Sequence, residues 1–437
     1  MKVYTLGGYD EVGKNMTAVE VDGEIVIFDM GYHMESVVEQ DEEIEGLTTT
    51  DSLDTGAIPT DKPVMDQRDK VKGIVIGHGH LDHIGAIPKL AGAYDCPIFA
   101  TPFTMRLIER VINQDRKDID NELIEMEPGN SISLTPQLEL EFVNITHSIP
   151  GAVLCSLNTK EGKFAYANDY KLDMEPTLGD KPDFERLRKL GNEDVKAFVT
   201  GTTRIDLEKR CKSEKEVQIE LQHILDKAYE QGGAVIATTF SSQIARLRNI
   251  IKANKGRRKI VMIGRSLKEN TASAEKEGLI DLSGIEVRSW RDETEEILRE
   301  ISDDRENYLV ICTGNQGEPR AALTRIARGE YPLKLEKGDH VIFSCETIPT
   351  PLNEANRYKL EKNLKANGVR FYKDVHTSGH AMKEDHRDMI HMLQPENLIP
   401  CHGETERLAA YASLAKEEGY ELGKSVHVSQ NGNVIEL

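Results

Sequence analysis

The chain of 437 residues has a single tryptophan, 5% aromatic residues and six cysteines with no C-x-x-C pair. Each shortage excludes something. Cys96, Cys155, Cys211, Cys312, Cys345 and Cys401 are scattered along the chain, which fits reduced thiols better than a disulfide framework or a thiolate zinc site. No apolar stretch approaches the ~20 residues that a spanning helix needs. The opening MKVYTLGGYDEVGKN also lacks the apolar centre of a secretory leader, so a cytoplasmic location and no membrane partner are expected. Positive charge is short as well, because 55 Lys and Arg against 75 Asp and Glu leave a net charge of −20. Any polyanion must therefore be held by local patches and not by a global basic field. With 38% hydrophobic residues the chain is neither disordered nor fibrous, and its length suggests two or three domains.

Two rhythms run along the chain. The first half repeats short β-branched runs bounded by Gly, Asp or Asn, at Thr17–Val21, Glu24–Phe28, Gly73–Ile76, Leu138–Ile145 and Lys163–Ala167, which read as strands of mixed sheets. From about residue 200, helical patterns at Ser213–Gln231, Ser242–Ala253 and Asp292–Ile301 alternate with apolar runs at Ala234–Ala237, Lys259–Ile263, Tyr308–Cys312 and His340–Ser344. That alternation is the signature of a parallel α/β layer. After about residue 365 the short-strand style returns, with Val369–Tyr372, a helix at Lys383–Leu393, Leu398–Pro400, a helix at Glu404–Glu418 and a terminal hairpin around Asn431–Gly432. The middle rhythm reads as a domain inserted within the first. The acidic stretch Glu35–Glu45, leading into a polar loop through Asp66, reads as a solvated surface excursion, and the basic run Lys252–Lys259 as a solvated turn or a polyanion contact.

The chemistry concentrates in GIVIGHGHLDHIGAIP, residues 73–88, where an apolar strand runs into His78, His80, Asp82 and His83. Imidazole nitrogens and carboxylate oxygens are ligands for Zn²⁺, and a strand end fixes them while leaving a side open for water. Four ligands within six residues do not all serve one tetrahedral ion with an open position, so two metals sharing a hydroxide are expected. Further ligands should also follow strands, and His147, Asp169 and His402 do. His33, His223, His340, His386, His391 and His427 lack that placement and read as structural. In HTSGHA (His376–Ala381), small residues at Ser378, Gly379 and Ala381 let backbone N–H groups approach an anion closely.

H-x-H-x-D-H followed by a later His, Asp and His resembles the metallo-β-lactamase superfamily. Together with GGYDEVGKN, HSIPG, TTFSSQ, GRS, TGNQGEP, HTSGHA and PCHGE, it is similar to the ribonuclease J family, archaeal type, of the β-CASP branch. The resemblance implies an α/β fold, a metallo-β-lactamase αββα sandwich at 1–200 and 366–437 interrupted by an inserted β-CASP α/β domain at 201–365. It implies two Zn²⁺ per chain, with Mn²⁺ as the alternative. His78, His80 and His147 would hold one ion, Asp82, His83 and His402 the second, and Asp169 would bridge them. Asp82, Asp169 and His380 are the implied catalytic residues, Asp82 orienting the attacking water and His380 giving a proton to the leaving oxygen.

The same resemblance assigns His376, Ser378, Gly379, His380 and Ala381 to a pocket for the 5′-monophosphate of an RNA end, and Arg265, Arg320 and Arg325 to phosphate contacts along an RNA channel. The expected function is a zinc-dependent 5′-to-3′ exoribonuclease acting on single-stranded RNA in RNA processing and decay. An endoribonuclease or a DNA-processing β-CASP nuclease is the alternative, and a small-molecule metallohydrolase a more remote one. Two departures from the family stand out. The chain stops about 35 residues after His402, without the further C-terminal domain through which bacterial members dimerise, so a homodimer is left open. Where β-CASP proteins usually place an acid in their first motif, TGTTR has Gly201, which removes the usual partner of the catalytic histidine and leaves Asp206 as a weak substitute.

Overall fold

A computed structural model describes residues 1–33 and 48–437; the acidic stretch Glu35–Glu45 lies outside the described residues. Contacts divide the chain into two units, one of Met1–Met174, Gly179–Cys211 and Ser378–Leu437, the other of Glu175–Leu178 and Lys212–Thr377.

In the first unit the β-branched runs form two sheets. One contains, in spatial order, Asn433–Glu436, Lys2–Gly7, Met16–Val21, Glu24–Phe28, Val71–Val75, Ile98–Ala100 and Leu123–Glu125. The other contains Asn397–Cys401, Val195–Gly201, Gly162–Ala167, Val153–Thr159, Leu138–Asn144 and Ser131–Thr135. The period of two decides what packs where. Val3, Val19, Phe28 and Val75 of the first sheet bury against Phe142, Cys155, Phe164 and Val199 of the second. Alternate residues of the second sheet, Leu154, Ala165, Phe198 and Leu398, point the other way and bury Leu187, Met389, Leu393, Tyr411 and Leu414. Those belong to helices Phe184–Gly191, Lys383–Leu393 and Thr405–Glu417. On the first sheet, Phe99 joins the core between the sheets, and helix Pro102–Asp115 buries Phe103, Leu107, Ile108 and Val111 beside strand Ile98–Ala100. The result is the expected αββα sandwich.

Strand direction then brings the site together. Glu24–Phe28 runs parallel to Val71–Val75, and Gly162–Ala167, Val195–Gly201 and Asn397–Cys401 run parallel to one another. Their C-terminal ends therefore share an edge within each sheet, and the residues just beyond them include Asp29, His78, Asp169 and His402.

The second unit is a doubly wound layer. Its six strands, all parallel, run in the order Glu286–Arg288, Lys259–Ile263, Tyr308–Cys312, Val235–Thr238, His340–Phe343 and Arg370–Tyr372. Sequences such as YLVIC are buried at every position, as expected of parallel strands covered on both faces. Helix Glu214–Gln231 starts at a capping box in which Ser213 and Glu216 satisfy each other's backbone N–H groups. Arg246, fully buried on helix Ile244–Asn254, ties this unit together. Its guanidinium donates to both oxygens of Glu214 (2.6 and 3.0 Å), to the carbonyl and hydroxyl of Ser344 (2.8 and 3.1 Å), and to the carbonyl of Val375 (3.3 Å), and lies 3.2 Å from Nδ1 of His376.

Two sequence expectations are corrected, and two helices escape the sequence reading. The C-terminal strand Asn433–Glu436 does not close a hairpin with its own neighbours but pairs antiparallel with Lys2–Gly7, joining the two ends of the chain. The polar segment leading to Asp66 contains helices Thr49–Asp54 and Lys62–Met65, with Ala57, Ile58 and Val64 buried, so its described part is packed surface and not a solvated loop. Helices Arg265–Lys276 and Pro351–Ala366 were not legible: the buried face of the first keeps helical spacing but is half polar (Leu267, Asn270, Thr271, Ala274), and the second shows only a weak 3.6-residue stripe. The basic run Lys252–Lys259 is spoken for locally, with Arg257 and Arg258 stacked over the Tyr229 ring and Lys255 paired with Asp226.

Breaking a buried ion pair strands its partner charge, at a cost of about 3–5 kcal/mol. Arg246→Met is expected to destabilise the second unit by that amount, read as a lower urea midpoint followed by circular dichroism. An unchanged midpoint would show that the network contributes nothing to stability.

Candidate metal centre

The helix turn that carries Asp82 and His83 is clamped largely by backbone. Met30 N–H donates to the His83 carbonyl (2.7 Å), Tyr32 N–H to that of Leu81 (3.0 Å) and Asn15 N–H to that of Asp82 (3.0 Å). Gly31 is required in this clamp, since a Cβ there would stand 1.6 Å from the Asp82 carbonyl oxygen. Asp29 and His402 both adopt left-handed backbone (φ 60° and 51°). For a non-glycine residue this costs free energy that only the surrounding contacts hold in place, and such strain clusters at functional sites.

The side chains converge in two groups that share one carboxylate. His78, His80, His147 and Asp169 form the first, and Asp82, His83, Asp169 and His402 the second; within each, one ligand atom per residue lies within 4.8 Å of every other. Nε2 of His78, His83 and His147 lie 3.6, 3.4 and 3.6 Å from Oδ2 of Asp169. Nε2 of His402 lies 3.6 Å from Oδ1 of Asp169 and 3.7 Å from Oδ2 of Asp82. His80 Nδ1 is 3.1 Å from Nε2 of both His78 and His147. Ligands at ~2.0–2.1 Å from a tetrahedral ion must be about 3.3 Å apart, so these spacings are those of a metal cage. Asp169 is almost wholly buried, and its Oδ1 makes no hydrogen bond of good geometry. A set of imidazoles and carboxylates without thiolate suits Zn²⁺ or Mn²⁺. The residues fit the implied ions.

Neighbours aim the rings. Asp29 accepts hydrogen bonds from Nδ1 of His83 (2.7 Å), the Tyr166 hydroxyl (2.7 Å) and Gly77 N–H (2.9 Å). His147 Nδ1 donates to the Gly379 carbonyl at 2.6 Å. Asp29 thereby fixes the His83 ring, and the Gly379 carbonyl fixes that of His147 with a bare Nε2 turned toward the centre. His402 differs, because the N–H of Gly13 donates to its Nδ1 at 3.0 Å. For Nε2 of His402 to hold an ion, the ring proton must stand on Nδ1, and the bond from Gly13 is then given up.

Electrostatics agree with a cation site. Burial pushes His78, His147 and His402 below the usual imidazole range, and His80 to about 4. Burial works against charge on His83 too, but Asp82 and Asp29, with hydrogen bonds to Asp169 and Asp29, hold its pKa well above that range. Burial likewise disfavours ionised Asp169, yet His380 and His402 keep it well below the carboxylate range.

His380 joins the cluster, its Nδ1 3.3 Å from Oδ1 of Asp169 and its ring roughly parallel to that of His402. The hydroxyl of buried Ser378 accepts the His380 N–H at 3.0 Å, leaving its proton to donate elsewhere. Gly379 is required by close approach, as a Cβ would stand 2.6 Å from Ser148 and 2.9 Å from the His147 ring. Ala381 is buried in the core of the first unit. At Gly201 a Cβ would stand 2.3 Å from the Asn168 carbonyl oxygen, so no acidic side chain fits. Asp206 is exposed, and the carboxylate beside His380 is Asp169. His376, Arg265, Arg320 and Arg325 belong to the second unit. There His376 lies 3.7 Å from Glu346, Arg265 and Arg320 are exposed, and Arg325 engages Glu330 and the Tyr331 hydroxyl. Asn15, Asp29 and the Gly379 carbonyl were not picked out from sequence, since nothing in an isolated Asn or Asp announces a long-range partner. Of the other histidines, His340 stacks on Tyr372, His386 bonds the Tyr170 hydroxyl, His391 pairs with Glu418, and His427 bonds Asn397.

Family models match three stretches of the chain: a beta-lactamase superfamily domain at 50–180, the beta-CASP domain of ribonuclease J at 232–360, and a Zn-dependent metallo-hydrolase RNA specificity domain at 369–429. Over its full length the chain is 46% identical to Ribonuclease J of Pyrococcus abyssi, covering 97% of that protein, and 44% identical to Ribonuclease J of Methanocaldococcus jannaschii, covering 98%. The chain belongs to the ribonuclease J family. Ribonuclease J of Mycoplasma genitalium is more distant, 31% identical with 73% of its length covered. A solved structure from Enterococcus faecalis, of a protein of unknown function, superimposes with a TM-score of 0.68 over 100% of this chain and 99% of that one at 16% identity, a likeness of fold alone. Membership of the ribonuclease J family makes the chain a metal-dependent ribonuclease of the β-CASP type, with RNA as its substrate class. Among the described residues no helix is long and apolar enough to cross a membrane.

Removing a residue that orients a ligating histidine typically costs 10- to 100-fold in metal affinity. Asp29→Asn is expected to weaken metal retention within that range, measured by competition with a chromogenic chelator. Retention equal to that of the unaltered protein would remove Asp29 from this role.

Proposed function

We propose that the chain is a zinc-dependent 5′-to-3′ exoribonuclease that prefers 5′-monophosphorylated single-stranded RNA and serves RNA processing and decay, with His78, His80, His147, Asp82, His83, His402 and bridging Asp169 holding two ions. The observation that carries this reading is the 2.6 Å hydrogen bond from His147 to the Gly379 carbonyl. It couples a candidate metal ligand directly to the loop whose hydroxyl and N–H groups suit a phosphate, so a terminal phosphate and the reacting phosphodiester would be gripped in fixed register.

A metal pair held here would lower the pKa of water toward ~7 and offset charge on the phosphoryl oxygens. The protein's own groups do the rest. Asp82, steadied by the Asn15 amide 3.4 Å from its Oδ2, orients the attacking water. That water's oxygen bonds to phosphorus as the bond from phosphorus to O3′ breaks. His380, fixed through Nδ1 against Asp169, offers its other nitrogen to protonate O3′. The products are a nucleoside 5′-monophosphate and an RNA one nucleotide shorter whose new end again carries a 5′-monophosphate. Ser378 and Gly379 would bind that end, and Arg265 and Arg320 are proposed as phosphate contacts of the second unit.

Two measurements test the proposal. RNA labelled at its 5′ end should release labelled mononucleotide from the first time point, faster for the 5′-monophosphate than for the 5′-hydroxyl form, not from a DNA copy, and not in the presence of a chelator. Discrete internal fragments would show an endonuclease instead, and cleavage of the DNA copy a DNA-processing enzyme. Ser378→Ala is expected to lower the preference for 5′-monophosphate ends roughly tenfold, the worth of one hydrogen bond to a charged group. An unchanged ratio would take Ser378 out of the pocket.

A further inference from the structure

The only tryptophan of the chain is not in a core. Trp290 is 67% exposed, although an indole is among the side chains that gain most from burial. It follows strand Glu286–Arg288 at the C-terminal edge of the second unit's parallel sheet and is the residue preceding helix Arg291–Asp303. Its position is fixed by neighbours on both sides. Glu293 lies 3.5 Å from the backbone N–H groups of Ser289 and Trp290, and Gly264 N–H donates to the Arg288 carbonyl at 2.9 Å.

Cations stand next to it in the chain and across the neighbouring strand. Ile263 pairs with Arg288 across the sheet, so Arg265 and Trp290 each stand two residues beyond the same rung. Lys268 donates to the Ser289 hydroxyl at 3.4 Å, which brings its ammonium beside the residue preceding the indole. Arg265 and Arg291 are about two-thirds exposed, and each meets a glutamate one helical turn on, Glu269 or Glu295, through Nε. Exposed pairs of this kind are worth little and exchange readily for a phosphate. In a chain of net charge −20, an exposed indole with Arg265, Lys268 and Arg291 on the adjoining segments has the composition of a single-strand site, where a base stacks on the aromatic face and cations take the flanking phosphates.

We infer that Trp290 is a stacking platform for a base of single-stranded RNA, with Arg265, Lys268 and Arg291 holding the phosphates on either side. The inference rests on RNA being the polymer that the protein handles. The site reads stacking and not sequence, since every base offers a π-face.

The single tryptophan makes the test direct. A 2′-O-methyl oligoadenylate, which resists cleavage, is titrated into the full-length protein while tryptophan emission and the anisotropy of a dye on the RNA are followed together. Emission should fall in step with anisotropy. Trp290→Ala should weaken binding roughly five- to a hundredfold, Trp290→Phe should recover most of it, and Lys268→Gln should reduce the salt dependence while leaving quenching at saturation intact. Binding by anisotropy with unchanged emission, or equal affinity of Trp290→Ala, would overturn this inference alone. Equal quenching by an abasic oligonucleotide would do so too, because it removes the base but keeps the charge. An emission change that depends on protein concentration without RNA would assign the indole to a second copy of the chain and also overturn it. Absence of any RNA binding by anisotropy would overturn the RNA reading along with it.

Discussion

One buried carboxylate organises the first unit. Five histidines, His78, His83, His147, His380 and His402, bring a ring nitrogen within 3.3 to 3.6 Å of Asp169. Packing so many donors around one ion in a site of low dielectric is worthwhile only if positive charge completes it. Against burial, Asp82 and Asp29 hold the pKa of His83 above the imidazole range, and His380 and His402 hold that of Asp169 below the carboxylate range. Metal cations would complete the charge at the spacing that these side chains already have. The sandwich is the device that delivers these side chains, because several strands that run the same way end at one edge and each carries a candidate ligand just past its end.

Around that centre a second tier removes freedom. Asp29 orients His83, the Gly379 carbonyl orients His147, and the backbone from Asp29 to Tyr32 grips the turn that carries Asp82 and His83. Gly31, Gly201 and Gly379 belong to this tier through what they lack, since a Cβ at any of them would collide with neighbouring backbone or side chains. An acidic side chain at position 201 is thus excluded by contact with Asn168, and Asp169 is the carboxylate beside His380.

The second unit divides its polar groups differently. Its largest buried charge, Arg246, is spent on internal order, satisfying Glu214, Ser344 and the chain at Val375 and His376. Its conspicuous exposed aromatic, Trp290, sits at the edge where the strands of a parallel sheet end, which is where open α/β sheets place their ligands. An interior charge and a surface indole both break the usual sorting of residues, the first in the service of the fold and the second at the edge where the strands end.

Much of this was legible before any coordinates. H-x-H-x-D-H is local, so its spacing alone revealed metal chemistry, and most strands and long helices follow from periods of two and 3.6 that survive in the sequence. Runs such as Glu24–Phe28, Lys259–Ile263 and Tyr308–Cys312 became strands with those bounds, and His147, Asp169 and His402 could be suspected because each follows such a run. What sequence could not supply is partnership across distance. That Asp29 serves His83, that Asn15 steadies Asp82, that Lys2–Gly7 pairs with the far end of the chain, and that Gly201 leaves no room for an acid are all decided by chain segments tens to hundreds of residues apart. A motif encodes donor atoms at fixed short spacing; which backbone or carboxylate aims them depends on how strands from distant segments come to share an edge, and only the tertiary structure sets that.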